Sequence, residues 1–170
     1  MPTVKEVLND TKKRLKEQGI DTYSLDSSLL VSEVTGLTKI QLVTHDRDEV
    51  TEEQLNRLEN LVKERLKNKP MQYILGHCEF MGLDFKVTEN TLIPRGDTEN
   101  IVEEVIATIE NSGYNTVLDM CTGTGAIAIS VAHYTKAKVT ASDISSKALE
   151  VARENAKILN ADVNFIESDL

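Results

Sequence analysis

A short apolar segment ends in a carboxylate and runs directly into a glycine loop: Val117-Leu118-Asp119-Met120-Cys121-Thr122-Gly123-Thr124-Gly125. Few patterns restrict a fold more. A strand that turns sharply into a helix is the place where open α/β sheets bind ligands, and glycines there permit positive φ and close backbone approach. The alternation continues downstream. Small residues predict a helix over Ala126 to His133, and Lys138 to Asp143 reads as a second strand. Ser145 is placed to cap a helix carrying Ala148, Leu149, Ala152, Ala156 and Leu159, and Val163 to Ile166 reads as a third strand. Strand–helix–strand alternation means a parallel sheet with right-handed crossovers. Val117 to Asp119 is expected to be buried within it.

The loop's chemistry narrows the ligand. The helix after Gly125 offers N-terminal amides that favour an anion. Asp119, just upstream, suits a cationic amino group, so the pair fits an amino acid zwitterion such as the methionine part of S-adenosylmethionine. Gly123, Gly125 and Ala128 also satisfy a permissive dinucleotide fingerprint, which keeps a nicotinamide dinucleotide open as the alternative. Asp143, at the end of the second strand, serves ribose hydroxyls for either cofactor. Asp119 separates them, because a carboxylate at that point repels a pyrophosphate. Asp169, after the third strand, stands where it could accept from an adenine amino group or be a solvated acid.

Upstream the period is helical. Thr3 with Glu6 and Thr51 with Gln54 make two capping boxes. Val4, Val7, Leu8, Thr11 and Leu15 form one apolar stripe, ended by Gly19. Leu25, Leu29, Leu30 and Val34 form a second, ended by Gly36. A short helix covers Ile40 to Val43, and Leu55, Leu58, Val62 and Leu66 form the last stripe before Pro70. Packed together these make an all-α bundle. From residue 78 the period falls to two: Phe80, Leu83, Phe85 and Val87 around Gly82 predict a β-hairpin connector. After Pro94, Asp97 or Thr98 is expected to cap a helix with Ile101, Val102, Val105, Ile106 and Ile109 on one face. The expected organisation is a helical domain over 1–73, a hairpin linker over 74–97 and an α/β domain over 98–170.

Composition excludes several classes. No apolar run approaches the roughly 18 residues of a membrane span, and the charged N-terminus is no secretory signal, so a cytoplasmic protein without membrane contact is expected. Cys78 and Cys121 are isolated, and His45, His77 and His133 lack metal spacing, so no metal is expected. Net charge is −9; residues 1–70 carry 12 basic and 13 acidic side chains, residues 71–170 carry 7 and 15. An acidic α/β half argues against direct nucleic-acid binding, which needs a basic face.

With these residues in view the sequence resembles the HemK-type protein-(glutamine-N5) methyltransferases that modify peptide-chain release factors. Pro70-Met-Gln-Tyr73-Ile-Leu-Gly76 is similar to the end of that family's helical domain. Leu92-Ile-Pro94-Arg95-Gly96-Asp97-Thr98-Glu99 is similar to its most specific signature, and Val117 to Ala128, Ala141 to Ser145 and Glu167 to Leu170 to its cofactor motifs. The resemblance implies a helical bundle, a hairpin and the first part of a Rossmann-like S-adenosylmethionine-dependent methyltransferase domain. It implies a cofactor site of Asp119, Cys121, Thr122, Gly123, Thr124, Gly125, Asp143, Asp169 and Leu170. Leu92, Pro94 and Arg95 would lie near the reacting groups, and the helical domain would grip the release factor.

Two departures from the family pattern qualify this. Gly96 stands where a second proline is usual, which loosens the turn by roughly 0.4–1 kcal/mol through unfolded-state entropy. The Asn-Pro-Pro-Tyr motif that holds the glutamine amide does not occur in the sequence. The chain is therefore expected to be an N-terminal fragment with no catalytic residue of its own and no activity alone. Its first strand would form an unpaired apolar edge prone to self-association. The competing readings are a release-factor-binding module without catalysis, an NAD-binding domain and an adenine-specific nucleic-acid methyltransferase.

Overall fold

The computed structural model describes residues 1–169, and the chain divides into two compact units between Leu75 and Gly76. The first unit holds α1 (Val4–Glu17), α2 (Tyr23–Thr35), α3 (Gln41–Thr44), α4 (Glu52–Leu66) and α5 (Met71–Leu75). Both capping boxes form: the Thr3 and Thr51 hydroxyls accept from the backbone N–H of Glu6 and Gln54, whose side chains accept in return from the Thr3 and Thr51 N–H groups. Gly36 closes α2 in the left-handed conformation. The core is built on Val4, Leu15, Leu30, Val31, Val50 and Val62, each apolar side chain contributing about 1.5–3 kcal/mol by leaving water.

The inward face of α2 differs from the expected stripe. Leu25 is half exposed, and Asp26 and Ser27 occupy buried positions with Leu30, Val31 and Val34. The reason is an internal ion pair. The Arg65 Nε–H on α4 donates to Asp26 Oδ2 at 2.8 Å, and the Thr22 hydroxyl donates to the same oxygen. The same guanidinium donates to the Lys69 carbonyl, pinning the segment that leads into α5. Helix α5 carries no capping signal in the sequence; it is a single turn that begins directly after Pro70.

The second unit opens with β1 (His77–Phe80) and β2 (Leu83–Lys86), antiparallel and joined through Met81 and Gly82, both at positive φ as a two-residue hairpin turn requires. Phe80 and Phe85 meet edge to face and are fully buried in one apolar cluster with Val102, Ile129 and Ala141. The hairpin expected as a connector thus packs within the core of the α/β unit. Helix α6 (Glu99–Ser112) is entered through a 3₁₀ turn at Gly96–Thr98. Neither Asp97 nor Thr98 caps it through a side chain; the Thr98 N–H donates to the Arg95 carbonyl instead, because the 3₁₀ turn satisfies that amide locally.

Then come β3 (Thr116–Met120), α7 (Ala126–Tyr134), β4 (Lys138–Asp143), α8 (Ser146–Ile158) and β5 (Val163–Glu167). The three strands are parallel in the order β3-β4-β5, with Val117 opposite Val139 and Val139 opposite Val163. This is the opening portion of a Rossmann-like sheet. Strand β3 lies at its edge among the described residues: Asp119 is buried as expected, but Leu118, expected to be buried with it, is 61% exposed, and Met120 is 49% exposed. Among the described residues no helix is long and apolar enough to cross a membrane, and no group of acidic, His and Cys side chains is arranged to hold a metal.

Candidate functional site

The parallel sheet brings three acids to one edge. Asp119 lies near the end of β3, Asp143 ends β4, and Asp169 comes after β5, whose continuation at Ser168 donates its N–H to the Asp143 carbonyl. The loop of residues 121–125 crosses this edge, tied to it by the Thr122 N–H donating to the Ser142 carbonyl.

Asp119 is buried, and its Oδ2 organises the turn. That oxygen accepts from the Thr122 hydroxyl at 2.6 Å and from the Ala128 N–H at 3.2 Å, joining the loop to the first turn of α7. Among the described residues its other oxygen accepts no hydrogen bond, and no cation pairs with the carboxylate. Burial pushes the Asp119 carboxyl above the usual carboxylate range, and the nearby Asp143 charge adds to that. The Thr122 and Ala128 hydrogen bonds oppose the rise without cancelling it. A carboxylate left in that condition favours a cation arriving from outside.

Asp143 is held differently. Its Oδ2 accepts from the Gly123 N–H and its Oδ1 from the Ser145 N–H, both at 2.9 Å. A carboxylate offers about four lone-pair positions, so each oxygen retains capacity for a hydroxyl donor. Ser145, as expected, caps α8 by accepting from the Ala148 N–H.

Gly125 shows why the loop needs glycine. It sits at φ +81°, and a Cβ there would lie 2.6 Å from Ile129 Cδ1 and 3.2 Å from Ala152 Cβ. The loop therefore rests directly on α7 and α8. Cys121, also at positive φ, is exposed, whereas Thr122 and Thr124 are buried beneath it.

Beside the loop lies a cleft of about 370 Å³, within the size range of small-molecule sites. Leu92, Pro94 and Arg95 form one wall with Ile93 and Thr98. Cys121, Thr122, Gly123 and Thr124 form the other, with Phe80 at the base and Ala126 and Ile127 at the start of α7. Two segments separated in sequence by the whole of α6 and β3 thus share one cleft. Asp119 and Asp143 hold the loop without lining this cleft, Asp169 is exposed and lines no part of it, and Leu170 lies outside the described residues.

Three supporting residues carry little signal in the sequence. Glu99, the last residue of the signature, accepts from the Met81 N–H at 2.7 Å, and the Tyr134 hydroxyl donates to the Met81 carbonyl. Both fix the hairpin turn. Asn155 of α8 is fully buried and bonded to β2 and to the loop. Its one signal is a polar residue one position from Ala156 within the inward stripe of α8. Cys78 lines no part of the cleft; burial, then the charges of Asp84, Glu79 and Glu99, push its thiol up.

Residues 6–76 match the PrmC N-terminal domain, and residues 117–170 match a methyltransferase domain. The chain is 42% identical to the release factor glutamine methyltransferase of Clostridium acetobutylicum over 158 residues, 92% of this chain and 55% of that protein. For the Moorella thermoacetica protein of the same name the values are 39%, 98% and 60%, and for that of Fusobacterium nucleatum 43%, 97% and 48%. The chain therefore spans about half to three fifths of the length of the curated relatives it matches. A solved tRNA (uracil-54, C5)-methyltransferase of Pyrococcus abyssi, in complex with S-adenosyl-L-homocysteine, overlaps 53% of this chain and 22% of its own at 27% identity. Its TM-score of 0.45 is too low to bear on function. By its domain matches and these relatives, the chain is similar over nearly its whole length to release factor glutamine methyltransferases.

Proposed function

We propose that the α/β unit is an S-adenosylmethionine site and that the protein acts as a methyltransferase toward the side-chain amide of a glutamine in a peptide-chain release factor. The observation that carries the cofactor reading is the state of Asp119: buried, without a cation among the described residues, its Oδ1 unbonded, beside the amides that open α7. That combination suits the zwitterionic end of the cofactor, with the carboxylate toward the start of α7 and the ammonium toward Asp119. Gly123 and Gly125 admit the ligand close to the backbone, Asp143 receives the ribose hydroxyls, and Asp169 stands toward the adenine. Cys121, Thr122 and Thr124 line the methionine and ribose portion.

The reactive methyl then faces the cleft, whose opposite wall is Leu92, Pro94 and Arg95. An amide nitrogen is a poor nucleophile, so the cleft's task is to fix geometry and exclude water. The apolar wall performs the second task. For the first, among the described residues the cleft's lining includes no carboxylate or amide side chain to receive the glutamine amide. This favours a second reading for the chain as it stands, a release-factor-binding module that holds cofactor without transferring its methyl. The helical unit is the part that grips the release factor, and the α1–α4 groove, where Glu6, Asp10, Arg14 and Glu59 stand with Val7, Leu55 and Leu58, is a recess of mixed polarity open to it.

A pull-down with release factor and then a methylation assay separate the readings. Capture without methyl transfer supports the module, and transfer supports the complete enzyme. Absence of both capture and transfer contradicts the substrate assignment. The exposed Leu118 and Met120 on the β3 edge are where two copies would pair. Sedimentation that finds only monomer removes that part.

A further inference from the structure

Asn155 is a buried asparagine that a helix has no intrinsic use for, and its whole amide is engaged outside its own helix. Its Oδ1 accepts from the Lys86 N–H at 2.8 Å, and its Nδ2 donates to the Lys86 carbonyl at 3.0 Å and to the Thr124 carbonyl at 2.9 Å. The side chain thus pairs with both backbone groups of Lys86, as a neighbouring strand would, and uses its remaining N–H on the glycine loop. Lys86 and Thr124 are far apart in sequence, and among the described residues no direct hydrogen bond joins β2 to that loop. Two features press the same junction together: Ala152, one turn earlier on α8, lies against Gly125, and the Lys86 ammonium pairs with Glu154.

We infer that Asn155 is a positioning residue for the cofactor loop, locking Thr124 to the hairpin strand so that Gly123 and Gly125 stand in the geometry that receives S-adenosylmethionine. The inference rests on the cofactor reading above, but the lock itself is independent of it. Asparagine is required because the site needs one acceptor and two donors from a single planar group. Aspartate supplies only acceptors, and would face the Lys86 and Thr124 carbonyls with repulsion. Serine is too short to serve all three.

The test uses the full chain with N155D and N155S, and V151A as a control that thins the buried face of α8 while leaving the three Asn155 hydrogen bonds in place. Amide hydrogen exchange is read at 85–87 and 122–127, and affinity for S-adenosylhomocysteine by calorimetry. The expected result is faster exchange at both segments in N155D and N155S, unchanged protection across β4, and at least a tenfold loss of affinity. V151A keeps the affinity within about twofold. If N155D does not fold, N155S carries the test. Unchanged exchange at 122–127 in N155S, or an equal affinity loss in V151A at matched melting temperature, overturns the inference. Faster loop exchange in a chain whose unsubstituted form binds no S-adenosylhomocysteine supports the lock and contradicts the cofactor reading.

Discussion

Arg14 on α1 holds Glu59 of α4 with two hydrogen bonds, of 2.7 and 3.0 Å, and Arg65 holds the buried Asp26. Asp119 and Asp143, in the α/β unit, have no cation among the described residues; their oxygens are served by a hydroxyl and by backbone N–H groups. The helical unit thus uses its charges for internal cohesion. The α/β unit keeps two carboxylates uncompensated at one sheet edge, an arrangement that costs stability and makes sense where a ligand supplies the missing partner. The same contrast appears in the glycines: Gly36 merely ends a helix, whereas Gly125 admits no Cβ between α7 and α8.

The largest effect that would break this comparison is in the helical unit. Asp26→Ala strands the Arg65 guanidinium in a mostly buried site, and loss of one member of such a pair costs about 3–5 kcal/mol. Thermal denaturation should show it as a large drop in the melting of the helical unit; a loss below about 1 kcal/mol would place the pair with ordinary surface pairs. Gly125→Ala comes next. The 2.6 Å approach to Ile129 and the positive φ together predict a loss of about 1–3 kcal/mol, and a variant as stable as the parent would show that the loop does not rest on α7 as described.

Asp119→Asn should act in the opposite sense on stability. Because the Asp119 carboxyl is held above its ordinary value, the native state binds more protons than the unfolded chain between those two values. Stability therefore falls as pH rises through that window and stays at the lower level above it. Asparagine keeps an acceptor for Thr122 and Ala128 and removes the buried charge, so D119N should melt no lower than the parent at neutral pH. Its S-adenosylmethionine affinity should fall about tenfold, or about 1.4 kcal/mol, as expected of one lost charge contact. Glu59 behaves inversely. Arg14 holds its carboxyl below the usual range, so its contribution is present at neutral pH and is lost as pH falls through that lowered value. Acid titration of the two units separately should show this opposition in D119N and Glu59→Gln.

The smallest effect is expected at Gly96. Arg95 before it is extended, as a residue preceding proline must be, and a Cβ at Gly96 meets nothing within 4 Å. Gly96→Pro should stabilise by about 0.4–1 kcal/mol, seen as a small rise in denaturation midpoint with the site unchanged.

Much of the fold is legible in the sequence because its signals are local. Two capping boxes, the left-handed glycines after α2 and α6, and the period of two around Phe80 and Phe85 each declare themselves within a few residues. The cleft is half legible: the strand–glycine loop announces one wall, and only family resemblance attaches Leu92, Pro94 and Arg95 to the other. The hidden parts depend on partners distant in sequence. Asp26 reads as a polar interruption until Arg65, 39 residues later, arrives beside it. Asn155 reads as a helix-surface residue until β2 and the glycine loop close around it. The 3₁₀ entry to α6 is concealed because Asp97 and Thr98 are good capping residues by type, and local geometry uses the backbone instead.

If the uncompensated carboxylates of the α/β unit await S-adenosylmethionine, calorimetric titration of the chain with that cofactor and, separately, with NAD shows it most directly. Saturable binding of S-adenosylmethionine, competed by S-adenosylhomocysteine and weakened in D119N, is the predicted result. Binding of NAD with none of S-adenosylmethionine would contradict it.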